Sequence, residues 1–184
     1  MRKDLNTLRR RPFLFPLLMP IAMMAIVVVV AIWVFDARAT TVVIVVRPAE
    51  IEQSAEPDAN LSLVGKERAA RLARVLAQMQ SPRAVDAILS ADSRRAQQTV
   101  QPLAESLSLP TNVVPPSEWE SLADRIRRDH RGEVVLVAGD PKQLVPVFTE
   151  FADDAIAIPE GEYDRLYVIF APQLSRNRML RLSY

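Results

Sequence analysis

The sequence predicts a three-layer α/β domain, a mostly parallel sheet with helices on both faces, preceded by one transmembrane helix. Three observations lead there. From residue 41 onward, segments rich in β-branched residues alternate with segments of helical periodicity. The strand-like segments, such as "TTVVIVV" and "EVVLVAG", are apolar without alternation, which is the pattern of strands covered on both faces. Residues 13–35, "FLFPLLMPIAMMAIVVVVAIWVF", carry no charge at all.

The apolar stretch comes first in chain order. At about 1.5 Å per residue its helix matches the thickness of a bilayer core. Ahead of it, Arg2, Lys3, Arg9, Arg10 and Arg11 face only Asp4, so the positive-inside bias keeps the N-terminus cytoplasmic and sends the rest across. "ARA" at 37–39 is a candidate cleavage site, but the stretch exceeds the roughly 7–15 apolar residues of a removable signal, so an uncleaved signal anchor is expected. The expected organisation is a basic cytoplasmic tail at 1–12, an anchor at 13–35, a linker at 36–40 and an extracytoplasmic domain at 41–184. Membrane lipid is thus an expected partner through residues 13–35, and another membrane or extracytoplasmic protein is a second candidate.

Composition narrows the chemistry. The whole chain of 184 residues carries a formal charge of +1. The first twelve residues hold a net +4, which leaves the remainder at −3. A mildly acidic domain offers no footprint for nucleic acid. No cysteine and a single histidine rule out disulfides, a thiolate nucleophile, and zinc or haem ligation, so neither metal nor cofactor is expected.

Within the domain, "TTVVIVV" reads as a central strand. "LSLVGKERAARLARVLAQMQ" follows as a helix with Ala69, Leu72, Val75, Leu76 and Met79 on its core stripe. "AILS" (87–90) reads as a second strand. Asp92 is the expected N-cap of a helix that packs through Ala96, Val100, Leu103, Ala104 and Leu107 and holds Arg95 in its first turn. In "PPSEWESLADRI", Ser117 and Glu120 have capping-box spacing, with Trp119, Leu122, Ala123 and Ile126 on one face. "EVVLVAG" reads as a buried strand, "GDPKQ" as a loop, and "LVPVFTEFA" as a helix that Pro146 shortens or bends. "YDRLYVIFA" and "RMLRLSY" read as further strands.

In an open α/β sheet, ligands bind beyond the carboxyl ends of the strands, where helix N-termini point their amides. Arg47, Arg95 and Asp140 each follow or closely succeed such a strand end. Two guanidiniums there suit an oxyanion, which they can hold through paired hydrogen bonds. The lone His130, in "RRDHRGE", precedes "EVVLVAG" and so falls at the wrong end of that strand, where it complements a helix dipole.

These residues carry a resemblance. Most of 41–184 is similar to the histidine phosphatase superfamily, with its phosphoglycerate-mutase-like fold. That family opens on a strand ending Arg-His-Gly/Ala-Glu, where this chain has "RPAE". Its "L-S/T-x-x-G-x-x-x-A" is matched by "LSLVGKERA", and its "S-D-L-x-R-A-x-Q-T" by "ADSRRAQQT", which aligns Arg95 with the second phosphate-binding arginine. "VLVVGHSNTVP" of one bacterial subgroup resembles "VLVAGDPKQLVP", and that subgroup's ending resembles "IPEGEYDRLYVI". The resemblance implies phosphate-binding roles for Arg47 and Arg95, with Glu50, Asp92 and Asp140 as further pocket candidates.

The departures fall on the chemistry. The family's two catalytic histidines correspond to Pro48 and Asp140, so no catalytic residue is intact. Proline has no side-chain lone pair and cannot carry a phosphoryl group. A carboxylate at 140 replaces a potential cation, so that with Glu50 nearby Arg47 and Arg95 are expected to neutralise within the protein. The reading that follows is a membrane-anchored pseudophosphatase with a binding or scaffolding role. Two alternatives stand beside it: a divergent phosphomonoesterase using Asp140 or Asp92, and a phosphate or phosphoester sensor through Arg47 and Arg95.

Overall fold

A computed structural model describes residues 15–52, 58–79, 84–152, 162–173 and 176–184. The expected basic tail at 1–12 and residues 53–57 fall outside them. The chain divides between Ala37 and Arg38 into two units. The charge-free stretch from Phe15 onward is helical, as part of α1 (Phe15–Ala39), with Pro20 inside the helix. Its described side chains, Met19 to Val34, are exposed around the whole circumference, Met19 and Trp33 at 72%. Among the described residues no helix is long and apolar enough to cross a membrane.

In the second unit the apolar runs become strands because branched side chains pack well on a pleated surface. The elements are β1 (Thr41–Val46), α2 (Leu63–Ala77), β2 (Ala87–Ala91), α3 (Arg94–Leu107), β3 (Thr111–Val114), α4 (Leu122–Asp129), β4 (Val134–Ala138), α5 (Pro141–Phe151), β5 (Arg165–Ala171) and β6 (Arg178–Ser183). One sheet holds all six strands in the order β3-β2-β4-β1-β5-β6. β1 pairs parallel with β4, and β2 pairs parallel with both β4 and β3. β5 runs antiparallel to β1 and to β6, so the sheet is mixed on that side.

Alternate side chains of the central strands feed two cores. Val43, Val45, Val135, Val137 and Ile169 pack with Leu122 and Ile126 of α4 and Leu144, Val147, Phe148 and Phe151 of α5. Val42, Ile44, Leu136 and Val168 pack with Leu72 and Leu76 of α2 and Val100 and Leu103 of α3. Helices on both faces are therefore borne out. Each large side chain so buried stabilises the fold by about 1.5–3 kcal/mol relative to exposure.

Several local expectations are corrected. β3 has no counterpart in the sequence reading; "TNVV" is short, and its Asn112 and Val113 are exposed at the sheet edge. On α2, Val75 is 39% exposed and Ala73 takes its place in the core. Ser93, not Asp92, is the N-cap residue of α3; Asp92 is exposed. Ser117 and Glu120 form no capping box. Pro115 is extended, residues 116–118 make a 3-10 turn, and α4 begins only at Leu122, after Trp119 has been buried to 3%. The expected loop "GDPKQ" supplies the first turn of α5, because Pro141 at the first helical position needs no N–H partner. α5 continues through Pro146 to Phe151.

Candidate functional site

Three neighbouring strands deliver the charged residues. β2, β4 and β1 lie side by side, and their carboxyl ends lead toward Arg95, Asp140 and Arg47 respectively. The Gly139 N–H donates to the Val46 carbonyl at 3.3 Å, which sets Asp140 beside the end of β1. Gly139 must lack a side chain: a Cβ there would lie 2.5 Å from the Trp119 ring.

Arg95 is the second residue of α3, and its Nη2 stands 2.6 Å from Asp140 Oδ1, with about a third of each side chain exposed. Asp140 also opens α5 as its N-cap. Its backbone N–H donates to Gln143 Oε1 at 3.0 Å, closing a capping box that the sequence signals as Asp-Pro-x-Gln. The carboxylate thus serves a helix start and an arginine at once.

The loop after β1 is tied to α3 through one hydroxyl. The Ala49 N–H donates to Thr99 Oγ1 at 2.9 Å, and that hydroxyl donates to the Arg95 carbonyl at 2.7 Å. Pro48 is buried between Arg47 and this link. The Arg47 guanidinium sits over the Tyr163 ring, 4.5 Å from its centroid, a geometry that favours a cation electrostatically.

Glu50 does not join this group. Arg68 Nε donates to both of its carboxylate oxygens, at 3.0 and 2.9 Å. Burial pushes the Glu50 carboxyl up, but the hydrogen bonds and charge of Arg68 outweigh it and hold the group below the usual carboxylate range. The hydrogen bond to Glu50 in turn raises Arg68. Gly65 makes this possible, since a Cβ on it would fall 2.2 Å from the Glu50 carbonyl oxygen. Beside this pair, burial pushes the Tyr184 hydroxyl up to about 12. Tyr184 donates through that hydroxyl to the Tyr163 carbonyl at 3.3 Å.

The structure therefore brings Arg95 and Asp140 into contact and places Arg47 at the adjacent strand end. It leaves Asp92 exposed and diverts Glu50 to Arg68, so the expected neutralisation involves Asp140 and not Glu50. His130 lies elsewhere. Its carbonyl accepts from Thr41 Oγ1 at the start of β1, roughly 20 Å of strand from Arg47, and its Nδ1 meets Glu133 Oε2 at 2.7 Å. The sequence reading passed over Thr99, Tyr163 and Arg68. Only Thr99 had a signal, its position four residues after Arg95 on one helix face.

Chemically, the arrangement offers cations and a carboxylate but no side-chain nucleophile at position 48. Among the described residues no three His, Cys, Asp or Glu side chains converge on a metal position.

Residues 43–133 match the family described as the histidine phosphatase superfamily (branch 1). Over that stretch the chain is similar to the histidine phosphatase superfamily. Solved structures of phosphatases share its fold. One is a SixA-type phosphohistidine phosphatase candidate from Agrobacterium tumefaciens, 22% identical, covering 78% of this chain and 97% of its own with a TM-score of 0.56. A protein histidine phosphatase SixA complexed with tungstate is 15% identical, covers 77% and 96%, and has a TM-score of 0.59. A mycobacterial glucosyl-3-phosphoglycerate phosphatase is 13% identical, covers 76% and 97%, and has a TM-score of 0.54. At these identities the likeness is one of fold. No curated protein sequence matches the chain. Likeness to the histidine phosphatases accounts for the order of motifs along β1, α2 and α3.

Proposed function

We propose that this chain is a membrane-anchored, extracytoplasmic member of the histidine phosphatase superfamily that has no phosphatase turnover and acts by binding. The observation that carries the reading is the 2.6 Å contact between Arg95 and Asp140. A carboxylate already occupies the cation that a phosphoryl group would use, and phosphoryl transfer depends chiefly on such positive charge. Pro48, at the position that motif resemblance gives to the nucleophile, supplies no lone pair. Asp140 is a poor substitute nucleophile because its carboxylate is held by Arg95. The anchor is supported by α1, whose apolar side chains point outward on every side and need an apolar environment.

One preparation tests both halves. The full-length protein is expected in the membrane fraction, to be recovered only with detergent, and to release no p-nitrophenol from p-nitrophenyl phosphate between pH 4 and 8. Recovery in the soluble fraction removes the anchor. Turnover that vanishes in Arg47→Ala removes the absence of catalysis and restores the phosphomonoesterase alternative.

A further inference from the structure

On the face that α2 covers, the sheet extends one strand beyond its helices. Leu166 and Val168 of β5 pack with Leu72, Ala73 and Leu76 of α2. The β5–β6 register sets Leu182 opposite Leu166 and Leu180 opposite Val168, on that same face. Yet Leu180 and Leu182 are 52% and 48% exposed. Beside them, Val64, Arg68, Arg71 and Val75 recur at helical spacing and form one flank of α2. That flank is turned toward the end of β6, since Arg68 and Arg71 both act on Tyr184. Val64 and Val75 are themselves exposed, at 56% and 39%. The result is a step whose floor is two leucines and whose wall presents two valines, about one helix diameter, or ~10 Å, high.

Charge marks the rims of this step. Some surface arginines meet carboxylates, as Arg94 meets Asp58 and Arg127 meets Glu150. Arg71 and Arg178 form no ion pair among the described residues. Arg178 lies opposite Phe170, on the leucine face. An apolar step the width of a helix, rimmed by two guanidiniums, complements a rod with an apolar stripe and acidic flanks. A bilayer surface is flat over this length and would reach the wall's rim but not the floor beside it.

We propose that the step between β6 and the outer flank of α2 is the docking site for an acidic amphipathic helix of a partner protein. It does not depend on Arg47, Arg95 or Asp140. The test uses the full-length chain in nanodiscs of neutral lipid and two fluorescein-labelled synthetic helices. One carries a leucine stripe flanked by glutamates; its twin carries lysines in their place. Anisotropy is expected to show saturable binding of the glutamate helix alone, abolished by Leu180→Asp. Reversal of both rims, Arg71→Glu with Arg178→Glu, is expected to weaken it about tenfold, the loss given by inverting two partly exposed charge contacts. The same double variant should gain binding of the lysine twin, a result that an unfolded chain cannot give. Equal binding of both helices to the unaltered protein, or affinities untouched by the variants, overturns the proposal. It also falls if the variants instead lose sedimentation with phosphatidylglycerol vesicles or lose self-association by light scattering, which would give the step to lipid or to a second copy.

Discussion

Two ion pairs flank the chain that leaves β1, and they differ in how firmly they are built. Glu50 and Arg68 meet through a fork, with side chains 23% and 21% exposed, on a loop that Gly65 lets approach α2. Arg95 and Asp140 meet at 2.6 Å through one nitrogen and one oxygen and are 34% and 30% exposed. The first pair is locked by backbone on both sides: the Ser62 N–H donates to the Glu50 carbonyl at 2.9 Å, and Ser62 caps the helix that bears Arg68. The second joins two helix N-termini at the mouth of the sheet, where an incoming anion could compete for the guanidinium. Similar chemistry thus serves architecture in one place and leaves a contestable charge in the other.

The largest expected effect tests the lock. Gly65→Ala drives a Cβ into the Glu50 carbonyl and should lower stability by about 3 kcal/mol in urea unfolding. A loss near zero would mean the loop yields freely and the pair is no more fixed than its neighbour. Next in size, Glu50→Gln should cost about 1 kcal/mol at neutral pH, a value discounted for the partial exposure of both groups. The folded carboxyl lies below its ordinary 4.5, so the pair contributes fully above that pH, and its contribution is lost as pH falls through the lowered folded value. Melting curves of wild type and variant should therefore converge below pH 4.5; a constant gap would show that the charge is not what Glu50 supplies. The smallest effect on stability belongs to Asp140→Asn, within about 0.5 kcal/mol because asparagine caps a helix as well as aspartate. Its effect on ligand is the informative one: calorimetry should find inorganic phosphate bound about tenfold more tightly than by wild type, as expected if Arg95 is released. Unchanged heats would place the pair with the architecture.

How far the sequence foretold this is instructive at single residues. The strand ends were legible because apolar runs stop after Val46, Leu89 and Ala138, and parallel strands put such stops on one side. The approach of Arg95 to Asp140 followed from that arithmetic. Glu50 was misread because its partner lies eighteen residues on, on a helix whose angle to the loop depends on Gly65, and no local spacing encodes that angle. Tyr163 was invisible for a similar reason: an antiparallel strand, β5, brings it beside Arg47, and its direction could not be told from its composition. Asp140 was read for its charge and missed as a cap, although Pro141 and Gln143 spelled the helix start.

The indole of Trp119, packed under Gly139, gives the chain a convenience for spectroscopy. The only other tryptophan, Trp33, belongs to α1. With Trp33→Phe the protein would retain one tryptophan, seated beneath the residue that precedes Asp140. The colour and intensity of its fluorescence then become a label-free gauge of occupancy at the strand ends.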